Sequence, residues 1–314
     1  HHYDGAALAS LDRELLFLRR RGVMALIDLH QFHWSPYFTD PSGGTAPGQA
    51  GGIPAWLYAG GRYPRTLAGR ARATAAFYGS RAATADYAAF AGMLATRYRR
   101  FANVLGYEIL NEPPVGTLPA THATTQRLIA WEARIRAAIA ARDPERTVFF
   151  MLRGGDDLGF RHADLRPFGS LRHLALDLHD YYAGNCASGY SRDGERPLCT
   201  NAKTYLSPRS AYTGTLAAQL SHVGAVLART RTWGIPLLIG EWGAPLGEPG
   251  MSVYQGQLLT VFRRDRLSWA RWSGPRQGSL SVFTGDGSLN AAGCQIAQAW
   301  RATRARVPPG CGQS

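Results

Sequence analysis

Lysine is nearly absent from this 314-residue sequence: Lys203 is the only one, although the formal net charge is +13. Arginine therefore carries the basic charge, and the arginines are spread over many predicted helices. Proteins that bind nucleic acids gather such residues into a patch or stripe. The arginine bias and the abundant alanine indicate GC-rich coding, so we expect no nucleic-acid partner.

Long apolar runs are also missing. No stretch approaches the ~18 consecutive apolar residues that a membrane helix needs, so no membrane span is expected. Hydrophobic residues make up 45% and charged residues 18%, which indicates a globular chain. The sequence opens at His1 with neither methionine nor signal peptide, as expected after processing or in a fragment.

Only four cysteines occur, in two local pairs. Cys186 and Cys199 bracket a loop rich in glycine, serine and arginine, and Cys294 and Cys311 bracket the C-terminal segment. Neither pair has the spacing of zinc ligands. The pairs predict two disulfides, which favours a secreted protein. Four free thiols remain the alternative, because spacing alone does not establish a bridge.

Short apolar runs alternate with helical patterns along the chain. The run from Val23 to Leu29 is typical of a buried strand, and further runs end at Glu112, Leu152, His179, Glu241 and, more weakly, Trp272. Helical periodicity covers residues 8–21, 84–101, 124–142, 214–232, 250–265 and 290–305, with Gly22 suited to a helix C-cap. Repeated strand and helix predict an α/β fold with six parallel strands.

Three predicted loops follow strands, at residues 31–80, 113–123 and 183–212. Parallel α/β folds place their active sites in such loops and at the strand ends that precede them. The first loop is rich in aromatic residues, and Trp34 there suits stacking on a sugar ring. Ordinary packing of a long loop, for example by Trp56 and Tyr58, is the alternative.

Polar side chains end four of the predicted strands. Side chains two positions apart share a strand face, which pairs Asp28 with His30, Glu108 with Glu112, and Asp177 with His179 and Tyr181. A single such residue is commonly a cap or a satisfied polar group. Ionisable groups gathered at one rim cost desolvation energy unless they are paired or used, so four such strand ends predict an active site.

Two of these residues, Glu112 and Glu241, suggest glycoside hydrolysis. A retaining enzyme holds two carboxyl groups ~5–5.5 Å apart, one as nucleophile and the other first as acid and then as base. The two groups need different environments, because their roles demand different protonation states.

Four neighbouring polar residues have candidate roles around these glutamates. Asn111 can hydrogen-bond a sugar 2-hydroxyl, and Tyr181 can donate to Glu241 and keep it ionised. His30 and His179 can orient hydroxyls or tune the acid.

The sequence motifs resemble those of glycoside hydrolase family 5. The segment from Val104 to Pro113, VLGYEILNEP, resembles the fourth-strand motif of that family, whose Asn-Glu-Pro glutamate is the acid/base; this implies that role for Glu112. The Gly-Glu-Trp-Gly sequence at 240–243 is similar to the seventh-strand motif, which implies that Glu241 is the nucleophile.

Three further motifs follow the family's order. His179-Asp-Tyr181 resembles the sixth-strand His-x-Tyr pair, and Asp28-Leu-His30 resembles the end of the third strand. Trp272 resembles the eighth-strand tryptophan that floors the sugar site at the cleavage point. The resemblance spans roughly residues 8–300.

The resemblance implies a (β/α)8 TIM barrel. It also implies that residues 1–314 are a single catalytic domain covering strands three to eight, so that the first two strands and the family's second-strand arginine are missing from this chain. It implies no cofactor and no metal.

The implied activity is hydrolysis of β-glycosidic bonds by double displacement, with an oligo- or polysaccharide substrate. A cellulase-like endo-β-glucanase is the default. His30-Gln31 resembles the branch of the family that cleaves glycolipid glycans, although this chain has no room for the extra C-terminal β domain of that branch. A non-catalytic carbohydrate-binding relative is a second alternative.

Two other enzyme classes fit less well. A metal-dependent hydrolase could use Asp28, His30, His33 and His179, but these residues lack the spacing of a His-x-His or His-Glu-x-x-His site. A serine hydrolase of the usual α/β type needs a Gly-x-Ser-x-Gly elbow, and the sequence has none.

Overall fold

A computed structural model describes residues 2–31, 63–64, 66–113, 121–152, 162–181, 215–244, 250–272, 280–301 and 311. The chain divides into two compact units. Unit 1 holds the described residues up to Asp177 together with Trp233–Pro236, and unit 2 holds those of Leu178–Thr232 and from Leu237 onward. That residues 1–314 act as a single catalytic domain stays a prediction.

The described part of the chain contains six strands in one sheet, neighbours in chain order. They are β1 (Ala25–Asp28), β2 (Val104–Glu108), β3 (Thr147–Met151), β4 (Leu174–Tyr181), β5 (Leu237–Gly243) and β6 (Ser268–Trp269). The strands are parallel, so the predicted α/β class is confirmed. Each strand lies within or directly beside one of the six apolar runs.

Helices separate the strands. They are α1 (Gly5–Arg20), α2 (Leu67–Gly79), α3 (Arg81–Tyr98), α4 (His122–Ala140), α5 (Leu216–Trp233), α6 (Met251–Asp265) and α7 (Ala291–Arg301), with a short 3-10 helix at Arg166–Phe168. Six of the helices confirm predicted helical patterns, with ends that differ by a few residues. None of the helices described is long and apolar enough to cross a membrane.

Helix α1 shows how the local sequence sets the helix ends. The Asp4 carboxylate accepts hydrogen bonds from the backbone N–H groups of Ala6 and Ala7, which have no partner within the helix. At the other end Gly22 has a φ of 68°, in the left-handed region that favours glycine. Gly22 thus lies one residue beyond the C-cap, Arg21, at the position where glycine commonly ends a helix.

The prediction of one loop over residues 31–80 is wrong from Leu67 onward. Helix α2 occupies Leu67–Gly79, with the Thr66 hydroxyl accepting from the backbone N–H of Gly69. The helix is rich in alanine and has few large apolar residues at helical spacing, so periodicity gives little sign of it.

Packing against aromatic residues holds α2 in unit 1. Trp131 of α4 is the centre of the cluster, with ring centroids 5.4 Å from Phe77, 5.3 Å from Tyr78 and 5.2 Å from Tyr87. Tilted and edge-on pairs at these distances add to the free energy gained from burial. Four large rings therefore tie α2, α3 and α4 together.

The pairing of β1 with β2 contains an irregularity that requires glycine. Ala25 pairs with Val104 and Leu26 with Gly106, so Leu105 is an extra residue and stays exposed. A Cβ at Gly106 would lie 2.0 Å from the Thr147 carbonyl oxygen of β3. Only glycine therefore fits where β2 approaches β3.

Unit 2 has a separate apolar cluster. Val223 and Leu227 of α5 pack with Val261 of α6, and Leu220, Leu237 and Leu267 border them. A disulfide between Cys294 and Cys311 ties α7 to the C-terminal segment, which confirms one of the two predicted bridges. Cys186 and Cys199 lie outside the described residues.

A buried acid lies in the core of unit 1. Glu132 of α4 is 0% exposed, and one carboxyl oxygen accepts from the backbone N–H of Met151 at 3.2 Å. Within the described residues, the other oxygen has no hydrogen-bond partner. Burial raises the pKa of Glu132 well above its ordinary value of 4.5, and the bond from Met151 opposes this only in part.

Glu132 should therefore make stability depend on pH. The folded state keeps a proton that the unfolded state releases above pH 4.5, so the free energy of unfolding falls as pH rises towards the raised pKa. Glutamine cannot ionise, so the free energy of unfolding of Glu132→Gln relative to wild type should rise from about pH 5 to about pH 8. The rise is up to about 1.4 kcal/mol per pH unit. Urea unfolding at both pH values measures this.

The matched control is Glu14→Gln, on an exposed position of α1. Its difference from wild type should not change with pH. A pH-independent difference for Glu132→Gln as well would show that Glu132 is ionised in the folded protein.

Candidate active site

The acid/base candidate lies in a turn that follows β2. The strand ends at Glu108, three residues before the Asn111-Glu112 end that the apolar run predicts. Backbone pairing nevertheless continues, because the N–H of Ile109 donates to Phe149 and that of Asn111 donates to Leu29, at 3.2 and 3.4 Å. Sheet-like hydrogen bonding therefore leads the chain up to Glu112.

Glu112 has a φ of 39°, in the left-handed region. A non-glycine residue there costs on the order of 1–3 kcal/mol and needs support from its surroundings. That Glu108 and Glu112 share a strand face stays a prediction. The side chain of Glu112 is half-buried.

Two side chains hold the backbone of this turn. The Gln31 side-chain amide donates to the carbonyl oxygens of Asn111 and Glu112, both at 2.8 Å. The N–H of Glu112 donates to the sulfur of Met151 at 2.9 Å. Gln31 is not among the predicted site residues, because the resemblance of His30-Gln31 to one branch of the family implies no catalytic role for the glutamine.

Asn111 is buried and returns a contact to Gln31. Its side-chain amide donates to the Gln31 backbone carbonyl at 3.0 Å. The amide oxygen of Asn111 has no hydrogen-bond partner among the residues described. Asn111, which is predicted to hydrogen-bond a sugar hydroxyl, thus also stabilises the turn that contains Glu112.

The hydroxyl of Tyr87 on α3 stabilises the segment between β2 and Glu112, because it donates to the Ile109 carbonyl at 2.8 Å. Burial raises the pKa of Tyr87, and the nearby carboxyl groups of Asp28, Glu108 and Glu132 raise it further. Tyr87 therefore remains a hydrogen-bond donor at neutral pH.

Asp28 and His30 lie together, as their spacing predicts. The carboxylate Oδ2 of Asp28 is 2.7 Å from Nδ1 of His30, whose side chain is 41% exposed. This hydrogen bond fixes the orientation of the imidazole ring.

The nucleophile candidate lies in unit 2. Glu241 is the fifth residue of β5, so a hydrogen-bonded strand fixes its backbone. Its side chain is 12% exposed, and the Nδ1 atom of His179 from β4 lies 3.4 Å from Oε2 of Glu241. The His179 side chain is itself only 4% exposed. The structure therefore places two of the predicted site residues side by side.

The next residue, Trp242, anchors this end of β5 in the core of unit 2. It is fully buried, with ring centroids 5.3 Å from Phe262 and 5.4 Å from Trp269, and the Arg271 guanidinium lies 5.3 Å from its ring. Neighbouring strand residues point to opposite faces, so the burial of Trp242 directs Glu241 away from this core.

The run from Leu267 to Trp272 forms a shorter strand than predicted. β6 contains only Ser268 and Trp269, but the N–H of Ala270 donates to Ile239 and that of Trp272 donates to Trp242, at 2.8 and 3.1 Å. Pairing with β5 thus extends to Trp272, whose backbone lies beside the residue that follows Glu241. The Trp272 side chain is half-buried.

Arg271 ties the chain after Glu241 to the following segments. Its guanidinium donates to the backbone carbonyls of Ala244 and Leu280, at 3.3 and 3.4 Å. A Cβ on Gly243 would lie 2.2 Å from this guanidinium and 2.9 Å from the Trp272 carbonyl oxygen. The second glycine of the Gly-Glu-Trp-Gly motif therefore makes room for Arg271.

Tyr254 of α6 fixes the residue after His179. Its hydroxyl hydrogen-bonds the backbone carbonyl of Asp180 at 2.7 Å and the carboxylate of Asp180 at 2.9 Å. The sequence motifs do not point to Tyr254, which lies in the helix that follows the Gly-Glu-Trp-Gly motif and belongs to none of them.

Some predicted residues cannot be placed. Trp34 and His33 lie outside the described residues. Tyr181 is the last residue of β4, and its side chain is not among those described.

Comparison with known proteins assigns a family model to most of the chain. The model described as cellulase, glycosyl hydrolase family 5, matches residues 2–277. No curated protein matches the sequence.

Solved structures share the fold. The lactosyl-enzyme intermediate of endo-glycoceramidase II from Rhodococcus sp. matches with a TM-score of 0.70 and 21% identity, over 94% of this chain and 66% of that chain. Endoglucanase Cel5A from the hyperthermophilic Thermotoga maritima matches with a TM-score of 0.64 and 13% identity, over 93% and 78%. An endogalactoceramidase matches with a TM-score of 0.63 and 20% identity, over 86% of this chain and 58% of that chain.

These likenesses confirm the predicted TIM-barrel fold, with six of its strands in the described residues. The chain spans slightly less than two thirds of the length of the Rhodococcus enzyme.

Replacing Gly243 by alanine should destabilise the protein. The new methyl group would displace the Arg271 guanidinium or the Trp272 carbonyl. Overpacking of this kind costs about 1–3 kcal/mol, measurable as a loss in the free energy of unfolding in urea.

Gly224→Ala is the matched control, because Gly224 lies in α5 with open space around its Cβ position. That change should stabilise the helix by up to about 1 kcal/mol. If Gly243→Ala were as stable as wild type, the claim that Arg271 can occupy its position only when residue 243 lacks a side chain would be wrong.

Proposed function

This chain belongs to glycosyl hydrolase family 5, and from that premise we propose that it is a retaining β-glycosidase with Glu112 as acid/base and Glu241 as nucleophile. The observation that carries the proposal is the position of the two family motifs. One follows β2 and the other ends β5, each at the carboxyl end of a parallel strand, where this fold places catalytic groups.

The reaction proceeds in two displacements. Glu241 attacks the anomeric carbon while Glu112 donates its proton to the departing glycosidic oxygen, which leaves a covalent glycosyl-enzyme. Glu112, now a carboxylate, takes a proton from water, and that water oxygen displaces Glu241 from the anomeric carbon. One solved structure of the Rhodococcus endo-glycoceramidase II is a lactosyl-enzyme intermediate, which is the kind of species that a double displacement forms.

The surroundings of Glu241 suit a nucleophile. Its carboxylate is largely enclosed, with the imidazole of His179 beside one oxygen. When Nδ1 of His179 carries a proton, it donates to that oxygen and stabilises the charged carboxylate. Tyr181 is proposed as a second donor to the same carboxylate.

The other proposed roles concern the substrate. His30 and Asn111 contact sugar hydroxyls, Trp272 floors the sugar at the cleavage point, and Trp34 stacks on a further sugar. Export of the protein from the cell is likewise proposed, and the Cys294–Cys311 disulfide supports it, because such bridges persist in oxidising compartments.

Two substitutions test the catalytic assignment. Glu241→Ala removes the nucleophile and should lower kcat on the order of 10⁴-fold or more for every β-glycoside. Glu112→Ala removes the general acid and should slow substrates with poor leaving groups by about 10²–10⁴-fold, while activated aryl glycosides lose much less. Rates on a series of aryl β-glycosides measure both effects.

Glu14→Ala, an exposed carboxylate on α1, is the control and should keep full activity. Small and equal effects of the Glu112 and Glu241 changes would contradict the assignment. Tight sugar binding without turnover by the wild-type protein would favour the non-catalytic carbohydrate-binding alternative.

Two classes of substrate are candidates, a β-glucan and the glycan of a glycolipid. The sequence alone favours a β-glucan, as in a cellulase-like endoglucanase. The structural comparisons favour the glycan of a glycolipid, because endo-glycoceramidase II from Rhodococcus sp. has a higher TM-score and identity to this chain than the endoglucanase from Thermotoga maritima. We therefore put glycolipid first and β-glucan second.

A direct competition decides between the classes. We expect the protein to release an intact oligosaccharide from a lactosyl lipid in detergent faster than it releases reducing ends from barley β-glucan or carboxymethyl cellulose. Chromatography of the released sugar measures the first reaction, and a reducing-end assay the second. Faster cleavage of the polysaccharides would reverse the order.

A further inference from the structure

The turn at Glu112 needs an external hold. Its φ of 39° is unfavourable for a side chain-bearing residue, so the isolated segment would relax to another conformation. A relaxed turn would move the Glu112 carboxyl group, because the side chain follows the Cα–Cβ direction. Something outside the segment must therefore stabilise the conformation seen.

Gln31 provides the hold through both protons of one amide group. Its Nε2 atom donates to two consecutive carbonyls, those of Asn111 and Glu112, each at 2.8 Å. Consecutive carbonyls point in different directions in extended backbone, so a single amide can reach both only when the chain turns between them. The two hydrogen bonds thus select this turn.

The environment of Gln31 strengthens these hydrogen bonds. The residue is 2% exposed, so water competes little for the two carbonyls. Its own backbone carbonyl accepts from the Asn111 side chain at 3.0 Å, which closes a reciprocal contact between the two segments. On the other side of the turn, the N–H of Glu112 donates to the Met151 sulfur, which is a weak acceptor.

We infer that Gln31 is a positioning residue for the acid/base, which holds the Glu112 carboxyl where it can protonate the leaving oxygen. The inference rests on the proposed role of Glu112. Gln31 acts through the turn, because its side-chain amide donates to the Asn111 and Glu112 carbonyls. Its removal therefore weakens general-acid catalysis and leaves nucleophilic attack by Glu241 in place.

Leaving-group dependence separates this role from a structural one. Gln31→Met keeps the length of the side chain and removes both donors, and Gln31→Glu keeps its shape and replaces the donating amide by a carboxylate. We expect each variant to slow poor-leaving-group aryl glycosides by about 10–100-fold more than dinitrophenyl glycosides. The variants should melt cooperatively, as followed by circular dichroism.

Gln255→Met is the matched control. Gln255 is also buried, and its Nε2 atom likewise donates to two acceptors, the Ala292 carbonyl and the Gln295 side chain, both at 2.8 Å. It lies on α6, in unit 2, whereas the Glu112 turn belongs to unit 1. Its replacement should change all substrates by the same factor.

Measuring Glu112→Ala on the same substrates keeps the two claims apart. If Glu112→Ala discriminates between leaving groups and the Gln31 variants do not, Gln31 is no positioning residue and the proposed function stands. If Glu112→Ala itself fails to discriminate, the proposed function fails. If both Gln31 variants lose the folded state, Gln31 holds the fold and the inference is overturned.

Discussion

Backbone hydrogen bonding between β1 and β2 continues beyond the ends of both strands, and the acid/base turn depends on it. The N–H of Leu29 donates to Glu108, and that of Asn111 donates back to Leu29. This pairing brings the segment after β1 beside the segment after β2, so that Gln31 reaches the Asn111 and Glu112 carbonyls. A carboxyl group on an unfavourable backbone conformation is thereby fixed by contacts from a neighbouring strand end, and its own sequence alone could not fix it.

The same constraint acts in unit 2 with different side chains. Pairing of β5 with β6 extends to the N–H of Trp272, which donates to Trp242. The buried Trp242 ring packs on Phe262 and Trp269, and strand alternation then directs Glu241 to the opposite face. Each catalytic candidate is thus positioned by its own local structure: Glu112 by a supported turn, and Glu241 by a strand anchored in the core.

Much of this architecture could be predicted from the sequence, because apolar runs and helical periodicity report burial directly. The motifs around Glu112 and Glu241 could be recognised because the types of their residues are chemically distinctive. Helix α2 was missed, since alanine carries little periodic signal. Gln31 and Arg271 were missed for another reason: each acts on backbone atoms of a distant segment, and only the fold brings them there. The left-handed conformation of Glu112 likewise gives no local sign, because glutamate does not favour it.

Peptide mapping after treatment with a 2-deoxy-2-fluoro-β-lactoside that carries an activated leaving group tests the central claim most directly. The fluorine slows both displacements, and the good leaving group lets the first proceed, so the glycosyl-enzyme accumulates. Trypsin should give a peptide of residues 232–263, which contains two carboxylates, Glu241 and Glu248. The account predicts a 2-fluoro-lactosyl mass increment on this peptide, placed on Glu241 by fragmentation. A label on Glu248, on Glu112 or on any other residue would contradict it.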